Sequence, residues 1–245
     1  TWQTAVLWIG TNFCYNYGLM YSSITTNMVL NNSCPMWIWL LSLSPIIPAA
    51  HREQFSLLKA MMLWLLMLGF AIISYQDVLS TKESTRGTIL GNTSALMSAV
   101  LYAVYSLYLK ISVREERQDS FRYTYLLGFI GLFNLVVLLP VLLFLHAKNI
   151  ETFNWPDGKI WGLLMLNAFL ANFLWDYCFL KAVSLLGPLI TNTGLCLSFP
   201  LSLLIDMILY KLQFTWMYFF GSACVIAAFS VIMYADREKA HIKEK

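Results

Sequence analysis

Asp176 is the first residue whose type and position point to chemistry, because it lies inside the apolar run LMLNAFLANFLWDYCFLK. An ionised side chain at the centre of a bilayer-spanning helix costs about 2.5 to 3.5 kcal/mol, so such groups face a bundle interior and serve function by default. Asp176 is therefore a candidate for binding a polar solute or carrying a coupled proton. The alternative is a structural acid that pairs with a neighbouring helix or with Lys181. The residues alone leave the two open.

Amide and hydroxyl groups inside the apolar runs are the next candidates, since they offer hydrogen bonds at a lower desolvation cost than an ion. The candidates for solute binding are Asn27, Asn31, Asn172, Thr191 and Asn192. The alternative is that they hydrogen-bond one helix to another, which is a common use of Asn and Thr in membranes.

Two further side chains are candidates of weaker specificity. Tyr102 begins a stripe with Tyr105 and Tyr108 that could stack on a planar solute, although packing or a place in an interfacial belt is the favoured interpretation. Lys181 ends an apolar run and could attract an anionic solute or anchor its helix at the lipid headgroups.

Patterns typical of enzymes and metal centres are missing from the sequence. No nucleophile triad or phosphate loop occurs, and His51, His146 and His241 are too scattered to form a ligand set. The five cysteines all lie in apolar runs and are interpreted as small buried hydrophobes. The sequence therefore predicts no enzyme activity, no cofactor and no metal site.

Membrane helices are needed to position these polar residues. The chain is 59% hydrophobic and 12% charged, with a mean hydropathy of +0.64, whereas soluble domains are roughly half apolar and a quarter charged. Charges cluster between apolar runs long enough to cross a bilayer. The sequence predicts an all-α polytopic bundle with eight spans near 4–21, 26–47, 57–75, 88–110, 123–146, 159–181, 184–208 and 215–234.

The distribution of basic residues predicts the orientation. Eleven of the 16 Lys and Arg residues fall on one side of the predicted spans, which the positive-inside rule assigns to the cytosol. The 48–56 and 111–122 loops and the C-terminus are then cytosolic. A net charge of +3 is too small for a nucleic-acid-binding surface, so no nucleic-acid partner is expected.

An internal repeat is the most informative pattern. Three blocks match in the same order: 11–21 with 171–181, 25–35 with 190–200, and 53–59 with 212–218. The first three predicted spans then correspond to the last three, and a midplane site between inverted repeats is typical of transporters.

The repeat predicts a division of the chain. Residues 1–75 form a partial N-terminal repeat of three spans, 76–87 a linker, 88–234 a five-helix repeat and 235–245 a cytosolic tail. Five spans in the second half and three in the first predict a ten-helix parent fold whose first two helices are missing here.

The stretches at 94–110, 126–140 and 181–207 resemble the drug/metabolite transporter superfamily, most of all the F branch of solute carrier family 35 near its fungal vacuolar and thiamine-repressible members. The resemblance implies two inverted five-helix repeats and secondary-active transport, by alternating access, of a small polar or phosphorylated organic metabolite. It implies a small-molecule solute and membrane lipid as partners, leaves a homodimer open, and favours an endomembrane such as the vacuole, lysosome or Golgi. The alternative is a non-transporting scaffold or receptor, or a truncated inactive paralogue.

Overall fold

The computed structural model describes residues 2–22, 24–45, 47, 55–81, 89–114, 120–148, 155–210 and 215–244, and within these ranges the chain is helical without strands. The first half contains α1 (Trp2–Tyr21), α2 (Ile24–Asn31), α3 (Cys34–Ser42), α4 (Leu57–Thr81) and α5 (Ile89–Arg114). The second half contains α6 (Ser120–Ala147), α7 (Gly158–Asn167), a π-helical segment (Ala168–Leu174), α8 (Trp175–Leu186), α9 (Pro188–Leu195), α10 (Ser198–Tyr210) and α11 (Trp216–Glu244).

Helices long and apolar enough to cross a bilayer confirm the prediction of an all-helical, multi-pass membrane protein. Within the described ranges there are five: Leu57–Tyr75, Ile89–Ile111, Tyr123–Ala147, Gly158–Leu186 and Trp216–Asp236. Four of them agree closely with predicted spans, and the one predicted at 159–181 continues to Leu186. The total of eight spans stays a prediction.

Two of the predicted spans, 26–47 and 184–208, each consist of shorter helices. The first breaks at Asn32 and Ser33 between α2 and α3, and the second breaks at Cys196 and Leu197 between α9 and α10. A proline ring clashes with the carbonyl four residues earlier and lacks an N–H for the helix ladder. Pro35 and Pro200 follow the two breaks by a few residues, so each proline explains why the preceding helix ends where it does.

Helical structure also continues past the apolar residues. Helix α4 runs to Thr81, inside the predicted 76–87 linker, and α11 runs to Glu244, inside the predicted tail. Backbone hydrogen bonding continues through polar residues, so an apolar pattern gives the length in contact with lipid and not the length of the helix.

Two tightly packed helix pairs form the frame of the bundle. In the first pair, α1 lies against α5, and a Cβ added at Gly91 would lie 2.6 Å from the carbonyl carbon of Tyr21. In the second pair, α4 crosses α11, and a Cβ added at Gly69 would lie 2.8 Å from the carbonyl oxygen of Gly221. Small residues at such crossings let helix backbones approach closely in membranes.

The main core lies where the second pair meets α3 and α5. It includes Leu66 and Phe70 from α4, Ile38 from α3, Ala103 from α5 and Val225 from α11, all of them buried. This packing holds one face of α3 and α5 against the frame and leaves their other faces for the cavity described next.

Candidate functional site

A cavity of about 480 Å³ lies between α1, α5, α8 and the two helix breaks. This volume is within the range of small-molecule sites, which are about 300 to 1,000 Å³. The lining side chains are predominantly amides, hydroxyls and aromatic rings: Trp8, Thr11, Asn12, Tyr15, Asn31, Asn32, Cys34, Pro35, Ser98, Tyr102, Asn172, Trp175, Asp176, Asn192, Leu195, Cys196 and Ser198.

Helix α1 supplies one wall through Trp8, Thr11, Asn12 and Tyr15. Their spacing of three, four and seven residues puts them on one helix face. The Asn12 side-chain amide donates to the carbonyl of Trp8 at 2.8 Å, and the Thr11 hydroxyl donates to a carbonyl one turn earlier, also at 2.8 Å. The Thr11 hydroxyl proton and one amide proton of Asn12 are thus used within the helix, and the Asn12 carboxamide oxygen is available to accept from a solute.

Ser98 of α5 connects the helices around the cavity. Its hydroxyl oxygen lies 3.1 Å from the Thr11 carbonyl and 3.4 Å from the Asn31 carboxamide oxygen. A serine hydroxyl carries one proton, so it can donate to one of these acceptors at a time. Ser98 therefore couples α5 to α1 or to the end of α2.

Asn192 of α9 is the most constrained polar residue of the lining. Its side-chain amide nitrogen lies 2.8 Å from the carbonyl oxygen of Pro188 and 3.3 Å from the hydroxyl of Ser106, and its carboxamide oxygen accepts from the Cys34 thiol at 3.9 Å. One side chain thus joins α9, α5 and α3. Asn192 is buried among these helices and also borders the cavity. It can therefore hold the helices together and contact a solute.

The π-helical segment Ala168–Leu174 positions the residues of the opposite wall. Turns of this type are rare and occur frequently at functional sites. Asn172 lies within the segment, and Trp175 and Asp176 follow it in the first turn of α8. All three line the cavity, and Asp176 forms no ion pair with Lys181 or any other described residue.

Five of the eight residues predicted to bind solute come together at this cavity. They are Asn31, Tyr102, Asn172, Asp176 and Asn192, and they come from distant parts of the sequence. Their role in binding remains a proposal.

The other three predicted residues lie outside the lining. Asn27 is buried and donates to the Tyr15 carbonyl at 3.3 Å. Thr191 is buried and donates to the Gly187 carbonyl at 2.8 Å. Lys181 has an exposed side chain. Asn27 occupies a position suited to holding α2 against α1, the Thr191 hydroxyl bonds within the first turn of its own helix, and Lys181 has the position of an anchor.

The sequence interpretation missed several lining residues, among them Trp8, Asn12, Tyr15 and Trp175. A signal for Asn12, Tyr15 and Trp175 was present, because the repeat alignment sets Asn12 against Asn172 and Tyr15 against Trp175. Trp8 carries no such signal.

Metal ligands do not converge in the described part of the chain, where no group of three or more His, Cys, Asp or Glu side chains could hold an ion. Two thiols, Cys34 and Cys196, border the cavity at the two helix breaks. The arrangement can accept hydrogen bonds, stack on rings and attract positive charge.

Comparison with known proteins gives the family. A family model described as solute carrier family 35 (SLC35F) matches residues 3–236. The chain is 29% identical over 225 residues to solute carrier family 35 member F5 of Bos taurus, covering 92% of this chain and 42% of that protein. It is 28% identical to an uncharacterized vacuolar membrane protein of Saccharomyces cerevisiae, covering 97% and 61%.

Similarity to a crystal structure concerns the fold alone. That structure matches with a TM-score of 0.62 at 17% identity, covering 97% of this chain and 78% of the other. The chain spans about half the length of the curated relatives it matches. Since the family model extends over nearly all of its residues, the chain belongs to solute carrier family 35, in the SLC35F group.

Proposed function

We propose that this chain acts as a secondary-active carrier that moves a small polar organic metabolite across an endomembrane by alternating access, with the 480 Å³ cavity as its solute site. The observation that carries the proposal is that two interrupted helices border one polar cavity. In secondary transporters, interrupted helices form the substrate site near the bilayer midplane, where their exposed backbone groups and polar side chains meet the solute.

Correspondence between the two breaks supports an inverted repeat. Aligning 25–35 with 190–200 brings the break at Asn32 and Ser33 within one residue of the break at Cys196 and Leu197. Three pairs of aligned residues border the cavity from opposite halves of the chain: Asn12 with Asn172, Tyr15 with Trp175, and Asn31 with Cys196. Two halves that contribute equivalent positions to one cavity are what a site on a pseudo-two-fold axis requires.

Exposure of the cavity to each side in turn requires parts that move. The breaks lie where α2 and α9 end and where α3 and α10 begin. Fewer backbone hydrogen bonds there resist a change in the angle between the two helices. Pro35 and Pro200 maintain those breaks. We therefore assign the hinges of the transport cycle to these two positions.

The proposed membrane and the proposed orientation rest on less specific observations than the cavity does. A vacuolar yeast relative favours an endomembrane, and the distribution of Lys and Arg favours a cytosolic C-terminus. The division into a partial repeat at 1–75 and a five-helix repeat at 88–234 belongs to the same proposal.

The test is counterflow in proteoliposomes that hold the purified protein, with a pooled panel of nucleotide sugars, nucleotides, thiamine derivatives and amino acids. Asn12→Ala and Asn16→Ala form a matched pair. Both amides donate at 2.8 Å to the carbonyl four residues earlier on α1, but only Asn12 lines the cavity.

We expect Asn12→Ala to slow counterflow about two- to tenfold, the value of one hydrogen bond of roughly 0.5 to 1.5 kcal/mol, and Asn16→Ala to leave it nearly unchanged. Equal effects of the two variants would remove the cavity from the proposal. Absence of counterflow for the whole panel, from folded protein, would favour a non-transporting scaffold.

A further inference from the structure

The cavity lining contains an acidic side chain and no basic one among the described residues. Asp176 is the acidic side chain among the 17 residues that border it, and no Lys, Arg or His of the described part of the chain is among them. Sites that bind phosphate use Arg, Lys or a helix N-terminus to match its charge. At each break the C-terminus of one helix meets the N-terminus of the next, Asn31 of α2 beside Cys34 of α3 and Leu195 of α9 beside Ser198 of α10, so opposite ends of two helix dipoles lie together and offset each other. A cavity with a carboxylate and without a cation favours the opposite charge in its ligand.

Described lysines near the bundle interior are engaged elsewhere. Lys59 is fully buried in an ion pair with Asp236 between α4 and α11. Lys110 and Asp236 border a second, much smaller cavity of about 30 Å³ beside Gly187. These charges belong to a different part of the bundle from the large cavity, so they do not neutralise Asp176.

Aromatic rings complete the environment of a positive charge. Trp8, Tyr15, Tyr102 and Trp175 border the same cavity as Asp176. A cation within about 6 Å of such a ring is attracted by its quadrupole, by roughly 0.5 to 2 kcal/mol depending on desolvation. The same faces can stack on a planar ring system.

We infer that the solute of this cavity is an organic cation, an amine or quaternary ammonium joined to a planar ring, and not a phosphate ester. The charged nitrogen lies against Asp176 and the aromatic faces, and the polar edge of the ring hydrogen-bonds to amides such as Asn12 and Asn172. The inference rests on the proposed function, because it takes the cavity as the solute site, and it narrows the expected polar or phosphorylated metabolite to one charge class.

A charge-selective labelling experiment tests the potential in the cavity while the solute is still unidentified. Ser198→Cys puts a thiol in the lining, since Ser198 borders the cavity and is exposed. Gly158→Cys is the control, because a Cβ at Gly158 meets nothing within 4 Å and its neighbours Asp157 and Lys159 carry opposite charges. Each thiol is labelled with a trimethylammonium-ethyl and with a sulfonatoethyl methanethiosulfonate, and the rates are followed by peptide mass spectrometry.

The measured quantity is the cation-to-anion rate ratio at Ser198→Cys divided by the same ratio at Gly158→Cys. We expect a value of about ten or more, since one unit charge in the same cavity acts in opposite directions on the two reagents. Asp176→Asn should bring the value close to one, and Asp176→Glu should preserve it. Asp157→Asn, which removes a carboxylate outside the lining, should leave the cation-to-anion rate ratio at Ser198→Cys itself unchanged.

The outcomes separate this inference from the proposed function. Labelling of Ser198→Cys without charge preference, or with a preference that survives Asp176→Asn, overturns the cationic solute and leaves a solute cavity in place. Failure of both reagents at Ser198→Cys, while Gly158→Cys reacts, overturns a solute-accessible cavity and with it the proposed function.

Equilibrium binding supplies a second arm that does not depend on any variant folding. Tryptamine, N-acetyltryptamine and indole-3-acetate share one ring and differ in charge, and each is titrated against the detergent-solubilised protein. We expect tryptamine to bind about tenfold or more tightly than the other two. Tighter binding of indole-3-acetate overturns the inference, and so does equal binding of all three.

Discussion

The close crossing of α4 and α11 predicts that a larger residue at Gly69 destabilises the protein, and the structure gives the expected size of the effect. A methyl carbon added at Gly69 would lie 2.8 Å from the carbonyl oxygen of Gly221, 3.0 Å from Cγ2 of Val225 and 3.1 Å from Cβ of Cys224. The closest of these atoms belongs to the backbone of the facing helix, so the methyl cannot be accommodated by a side-chain rotation. Gly69→Ala must push the two helices apart.

The expected change in the free energy of unfolding is the balance of two terms. Overpacking of this kind costs about 1 to 3 kcal/mol, and replacing Gly by Ala inside a helix recovers about 0.5 to 1 kcal/mol. Gly69→Ala should therefore destabilise the protein by up to about 2.5 kcal/mol. Gly128→Ala in α6 is the matched control, because nothing lies within 4 Å of the added methyl and only the favourable term applies.

The assay is thermal unfolding of both variants in the same detergent. For a chain of this size 1 kcal/mol corresponds to about 2 to 4 °C, so Gly69→Ala should melt several degrees below the parent and Gly128→Ala slightly above it. Two variants with the same Tm would show that the close approach of Gly69 and Gly221 does not limit the packing of this pair. The reasoning about the frame of the bundle would then be wrong.

Three other changes have defined outcomes. Gly187 has a φ of +85° between α8 and α9, so Gly187→Ala should cost about 1 to 2 kcal/mol in thermal unfolding. Pro35→Ala with Pro200→Ala should slow counterflow without lowering the Tm, because the interrupted helices can then become continuous. Lys59→Met should cost about 3 kcal/mol in chemical unfolding, since it breaks a buried ion pair with Asp236, and adding Asp236→Asn should restore part of the loss.

Sequence reasoning found the acid of the cavity because a charge inside an apolar run is costly and therefore conspicuous. Asp176 and Asn172 were identified as polar groups within one such run, and both border the cavity. The membrane class and most span positions could be predicted for a related reason, since bilayer thickness fixes the length of an apolar helix.

Depth along a helix is what that reasoning could not supply. Asn27 and Asn31 are four residues apart on α2, and the sequence treated them alike. In the structure Asn31 borders the cavity, whereas Asn27 packs beside Gly18, where a Cβ would lie 2.9 Å from its side-chain nitrogen. Residues four apart share a helix face but lie about one turn apart, and an apolar pattern does not indicate which turn meets a neighbouring helix and which meets a cavity.

Two aromatic residues of the cavity lining were missed for a related reason. Trp8 and Trp175 stand in predominantly apolar runs, where a ring that packs and a ring that borders a cavity give the same pattern. The π-helical segment before Trp175 has no recognised sequence signature either. Only the repeat alignment carried this information, because it paired Tyr15 with Trp175.

The distribution of close backbone contacts and helix breaks bears on how such a bundle could move. The pairs α1 with α5 and α4 with α11 meet at glycines, where backbone atoms leave no room for sliding. The helices α2, α3, α9 and α10 are short and end at the cavity, so a change in their angle disrupts few hydrogen bonds. In the proposed cycle the glycine-held pairs therefore stay as rigid bodies and the interrupted helices move. This division predicts that the glycine variants alter stability more than turnover and that the proline variants do the reverse.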